Sequence, residues 1–104
     1  MKASAVATAA ADLVGGDRKE AYGDVLNGLG RIALMWNGLL TIAGKAPARP
    51  IDEHDVAQMM ASMKQARAYT GPFRIDNHVD HAGWSAVAGE AASRLADPSK
   101  GRTP

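Results

Sequence analysis

Between residues 76 and 96 the chain reads Asp76-Asn-His-Val-Asp80-His-Ala-Gly-Trp84-Ser-Ala-Val-Ala-Gly-Glu90-Ala-Ala-Ser-Arg-Leu-Ala96. Asp76 has the form of a helix N-cap, and a helix is expected from there to about Ala96. The segment is rich in small residues: Ala82, Gly83, Ser85, Ala86, Ala88, Gly89, Ala91 and Ala92. Such a surface lets another helix approach closely, and it also leaves room where a ligand can lie. Upstream, Gly71-Pro72 stops a third helix that Asp52-Glu-His-Asp55 caps, with Val56, Met59-Met60, Met63 and Ala66 on its apolar side. These methionines are expected in the core, where a flexible thioether fills irregular gaps. Lys45 to Pro50 is a breaker-rich loop. A second helix is expected from about Asp24 to Ile42, with Val25, Leu29, Ile32, Trp36 and Leu39-Leu40 as its apolar stripe. Asp17-x-x-Glu20 has the form of a capping box that opens this segment, and Gly23 weakens the pattern. An Ala-rich first helix, Ser4 to Val14, ends at Gly15-Gly16.

These signals predict an all-α fold, a four-helix up-down bundle with neither strand nor repeat. The expected organisation is an N-terminal Ala-rich helix over 1–16, a helical domain over 17–96 and a flexible tail over 97–104. At 104 residues there is room for one modest core. Hydrophobic residues make up 46% of the chain, but many are alanine, and the aromatic residues are Tyr22, Trp36, Tyr69, Phe73 and Trp84. A core so low in bulk gains stability by pairing helices across a subunit interface, so a homo-oligomer, dimer or tetramer, is expected. Twelve basic residues against eleven acidic ones give a net charge of +1, with no basic stripe that points to nucleic acid. The absence of cysteine rules out disulfides, a thiolate nucleophile and a cysteine-based zinc site. The opening Met1 to Ala11 run lacks the Leu-rich core of a signal peptide. No segment approaches the roughly 20 continuous apolar residues of a membrane span. A cytoplasmic protein without membrane contact is expected.

Polar residues near the helix starts carry the chemistry. Asp76 and Asp80 are four apart, and Asn77 and Asp80 three apart, so each pair shares one helical face. Like charges at that spacing repel unless a cation answers them. Lys64 and Arg67, three apart on the third helix, supply one answer, and Mg²⁺ held by one or two carboxylates plus substrate phosphates is another. His54, His78 and His81 make no zinc motif.

Two longer patterns resemble a known family. Asp55-Val-Ala-x-Met-Met60-x-x-x-Lys64-x-Ala-Arg67, followed by Asp76-Asn77-x-x-Asp80-x-Ala-Gly83-Trp84, is similar to a small phage and prophage family. Tyr22-Gly23-Asp24 and Arg31-Ile-Ala-x-x-Trp36 look like its first half, so the resemblance covers roughly residues 18–90. That family is allied with the MazG-like all-α nucleotide pyrophosphohydrolases, whose E-x-x-E and E-x-x-D motifs on two helices hold Mg²⁺. Here Asn77-x-x-Asp80 stands for E-x-x-D and Asp24-x-x-Asn27 for E-x-x-E, each with one amide in place of a carboxylate.

The resemblance implies a MazG-like bundle and a Mg²⁺-dependent (or Mn²⁺-dependent) hydrolase. It would convert a (deoxy)nucleoside triphosphate to the monophosphate and pyrophosphate. Asp24, Asn27, Asp76, Asn77 and Asp80 would surround the metal, with Glu20 contributing charge. Lys64 and Arg67 would be the catalytic phosphate clamp, and Trp36 or Trp84 would stack on the base. A guanine nucleotide such as dGTP is the favoured substrate, in the cytoplasm of a phage host. The rival readings are a non-catalytic helical interaction protein and a nucleotide-binding protein without chemistry.

Overall fold

Asp52 and Asp55 show how closely local chemistry sets the helix ends. The Asp52 carboxylate accepts from the Asp55 amide and the Asp55 carboxylate from the Asp52 amide, both at 3.0 Å, closing a reciprocal capping box. The computed structural model describes residues 1–16 and 24–97. Among these residues the chain is all-helical, with four helices and no strand. They are α1, Ala3–Gly15; α2, Val25–Ile42; α3, Glu53–Arg67; and α4, Ile75–Ala96. The expected Asp17-x-x-Glu20 box, with the site candidate Glu20, lies outside the described residues, as do Tyr22-Gly23 and the tail beyond Asp97.

Helix α4 is the hub. It packs most extensively against α3 and then against α1, while α2 rests mainly on α3. The core joins Leu26, Leu29 and Ala33 of α2 to Val56 and Ala57 of α3 and to Val87, Ala88 and Ala91 of α4. Val56 is fully buried, a burial worth about 1.5–3 kcal/mol. Alanine at 57, 88 and 91 lets the backbones close in, as the small-residue pattern of the sequence implied. Under α1 the same device recurs: a Cβ added at the buried Gly83 would come within 3.3 Å of Val14 Cγ1.

Three expectations are corrected. The expected stripe of α2 holds at its middle, where Leu29 is buried and Ile32 and Trp36 pack against the core, but not at Val25 and Leu39, which are 39% and 60% exposed; the fully buried positions are Leu26, Leu29 and Ala33. The Asn37 carboxamide donates to the Ile51 carbonyl at 3.0 Å and accepts from the Ile51 amide at 2.9 Å, pinning α2 to the strap before α3. Asp76 is not the N-cap of α4. That position is the extended Arg74, which makes no side-chain cap, and Asp76 stands exposed in the first turn, where its charge favours the helix dipole. Met59 and Met63 are not core residues. The close, alanine-based α3–α4 seam leaves them at its rim, 45% and 39% exposed.

The outward face of α2 is left apolar: Leu34, Met35, Leu39 and Ile42 are 60–86% exposed. By length and composition alone this helix is long and apolar enough to cross a membrane, with a mean hydropathy of 1.2. Its opposite face belongs to the core described above.

Candidate functional site

The chemistry-bearing residues gather in a cleft of about 480 Å³ between α1, the start of α2, α3 and α4. Its apolar wall includes Leu13, Val14, Met60, Met63 and Trp84, and its charged rim is Asp24, Lys64, Asp80, Glu90 and Arg94. A volume of this order is ordinary for a small-molecule site, and apolar walls with a few placed charges are the usual lining.

Every acid on the rim has a cation. Lys64 Nζ, one turn from the end of α3, lies 3.1 Å from Asp80 Oδ2, and both side chains are mostly shielded, at 17% and 28% exposure. Lysine therefore answers the repulsion that the sequence placed on Asp80. Asp24 is the N-cap of α2: its Oδ1 accepts from the Leu26 amide at 2.9 Å and its Oδ2 accepts from Arg94 at 3.1 Å. Arg94 also reaches Glu90 Oε2, one turn back, at 3.0 Å. The hydrogen bond to Asp24 raises the Arg94 guanidinium above its usual value, helped by the charges of Asp24 and Glu90 and opposed by desolvation. A raised cation keeps its stabilising contribution at every pH below its ordinary value, so Arg94 stays charged and paired throughout the neutral range.

Among the expected site residues, the cleft takes in Asp24, Lys64, Asp80 and Trp84. It does not take in the others. Asn27 and Asp76 are exposed and Asn77 is half-buried, all away from the cleft lining. Arg67 ends α3 exposed to solvent. Trp36 is half-buried against the core, where its phase with Leu29 takes it. Glu90 and Arg94 are cleft residues that the sequence reading did not single out. Their i, i+4 spacing was the available signal, but on its own it describes an ordinary solvated helix pair.

A model for a domain of unknown function, DUF6378, matches residues 5–92. The chain belongs to this family. No curated protein and no solved structure matches the chain. The DUF6378 match runs from α1 into α4, so it contains Lys64, Asp80, Trp84 and Glu90 and ends just before Arg94.

The cleft carboxylates are of the donor type that Mg²⁺ or Mn²⁺ takes, but they do not form a group of three with ligand atoms in mutual reach. Asp24 and Asp80 offer hard carboxylate oxygens, and Mg²⁺ is commonly held by one or two of these with substrate phosphates completing its shell. Each carboxylate already pairs with Lys64 or Arg94, so a divalent cation would compete with an internal one. A second acidic group, Asp52, His54 and Asp55, has ligand atoms within 4.8 Å of one another. Its two aspartates are spent on the α3 capping box.

Proposed function

We propose that this DUF6378 chain is a Mg²⁺-dependent (deoxy)nucleoside triphosphate pyrophosphohydrolase that releases a nucleoside monophosphate and pyrophosphate. The supporting observation is that Asp24, Lys64, Asp80 and Trp84 line one cleft although they come from three separate helical regions. All four were singled out by the resemblance to the MazG-like pyrophosphohydrolases. In this reading the molecule is a MazG-like up-down bundle that self-associates, acts in the cytoplasm of a phage host and favours dGTP.

The residues divide the work by chemistry. Asp24 and Asp80 would hold the metal, which when bound neutralises triphosphate charge and favours deprotonation of an attacking water. Lys64 is the cation that stabilises charge developing on the departing pyrophosphate, a contribution largest in a water-poor cleft. Trp84, with Met60 and Met63 beside it on the wall, gives the base an apolar, polarisable seat. Lys64 and Asp80 are paired in the free protein, so binding of a metal and a triphosphate would have to part them, leaving the carboxylate for the cation and the ammonium for phosphate.

One observation favours the rival reading of a non-catalytic protein. The Lys64–Asp80 and Asp24–Arg94–Glu90 contacts already form an internally neutralised ion-pair network. The two readings separate in one assay. Purified protein incubated with each of the common (d)NTPs and Mg²⁺ is expected to release pyrophosphate, fastest with dGTP, and to lose that activity on EDTA addition. No pyrophosphate from any nucleotide, with saturable nucleotide binding retained, would establish binding without chemistry. Absence of both would leave only a structural network.

A further inference from the structure

The cleft has two cations on its rim, Lys64 and Arg94, facing three acids, Asp24, Asp80 and Glu90. The excess negative charge is unfavourable for any anionic ligand while the acids are free to face it. Arg94 is held in a particular way. One guanidinium nitrogen is given to Asp24, seventy residues away in sequence, and the other to Glu90 on its own helix. Its side chain is nonetheless 31% exposed at the cleft. A guanidinium carries five N–H donors in a rigid fork, and the two acids account for one contact at each terminal nitrogen. The remaining donors, and a planar geometry that matches tetrahedral oxyanions, suit Arg94 to a phosphate group. Arg67, the second clamp cation that the sequence suggested, is exposed and away from this cleft.

We infer that Arg94 is a polyphosphate-binding residue of the cleft, kept in place in the free protein by Asp24 and restrained by Glu90, which competes with the ligand for the same guanidinium. This rests on the nucleotide reading proposed above and deepens it by assigning the second phosphate contact. It makes an unusual demand on signs. Loss of Arg94 weakens anion binding, whereas loss of the Glu90 charge strengthens it, because a competitor has been removed. An ion pair serving the fold alone would move both variants in one direction or neither.

The test is calorimetric titration of the full chain with inorganic tripolyphosphate at saturating Mg²⁺. Wild type is expected to bind saturably. Arg94→Ala is expected to bind about tenfold or more weakly, the scale of a lost charge-assisted hydrogen bond. Glu90→Gln is expected to bind several-fold more tightly, and Arg49→Ala, in the exposed loop before α3, within about twofold of wild type. If Arg94→Ala proves unfolded by circular dichroism, the Glu90→Gln result decides, since the inference requires a gain. Wild-type affinity in Arg94→Ala, or weakened binding in Glu90→Gln, would overturn the assignment while leaving the nucleotide cleft standing. Failure of wild type to bind tripolyphosphate would overturn both together.

Discussion

Substituting Lys64→Met and Asp80→Asn, singly and together, measures how firmly the two walls of the cleft are tied. The charged atoms are 3.1 Å apart with side chains 17% and 28% exposed. At that distance the bare attraction is about 1.3 kcal/mol in water and about 5 kcal/mol at an effective dielectric of about 20. Desolvation and the rotamer freedom lost by lysine subtract from this, and fully exposed pairs retain only about 0.2–1 kcal/mol. Partial burial on both sides puts the expected coupling at about 1–2 kcal/mol, below the cost of orphaning a fully buried charge. Methionine keeps the apolar stem of lysine, so the cycle reports the charge rather than lost packing. Urea unfolding followed by circular dichroism on the four proteins supplies the free energies. For a domain of this size, each kcal/mol corresponds to about 4–8 °C in Tm. The proposed function adds that saturating Mg²⁺ lowers the coupling, because Asp80 exchanges one cation for another. A coupling under about 0.3 kcal/mol without metal would refute the view that this pair joins α3 to α4.

Other outcomes are equally specific. Asn37→Ala removes both hydrogen bonds to Ile51 and is expected to cost about 1–3 kcal/mol, read as a lowered urea midpoint. Mg²⁺ or Mn²⁺ is expected to raise Tm by preferential binding to the folded state, and Asp80→Asn to abolish the rise. An unchanged Tm in both would remove the metal from the cleft. Ile42→Glu alters a side chain that is 86% exposed, so stability should change by no more than about 0.5 kcal/mol. Sedimentation of the same variant is expected to shift toward monomer if the apolar face of α2 mediates self-association.

Much of the fold was legible because its punctuation is local. Gly15-Gly16, the Asp52–Asp55 box and Gly71-Pro72 mark three boundaries, and each acts within a few residues of itself. The buried face of α2 was not legible to the same degree. Periodicity placed Leu29, Ile32 and Trp36 on the core side, but Leu26 and Ala33 are also buried while Val25 and Leu39 are exposed, and the Asn37–Ile51 hydrogen bonds that tie α2 to the segment before α3 are a contact no periodicity encodes. The place of Asp76 is not legible in the motif, which favours an acidic cap, because the extended backbone at Arg74 begins the helix without a side-chain cap. In the site, Lys64 and Asp80 were recognisable as partners since each sits on a helix whose phase can be counted. Arg94 was not, because its partner Asp24 lies at the far end of the chain.

Two of the polar ties between elements among the described residues differ sharply in sequence span. Asn37 and Ile51 are 14 residues apart, whereas Asp24 and Arg94 are 70 apart. Closing the short loop costs less chain entropy than closing the long one, by about 1.4 kcal/mol for a fivefold difference in span, which favours early formation of the α2–α3 tie. The α2–α3 hairpin can be fastened while the rest of the chain is still searching. The Asp24–Arg94 contact needs α4 docked beside the start of α2, so it is expected to form on the native side of the folding barrier. Its loss would therefore leave the folding rate nearly unchanged and speed unfolding. Arg94 is thus expected to act as a late latch, setting how long a folded molecule lasts rather than how quickly it is made, and unfolding rates of Arg94→Ala against wild type check it.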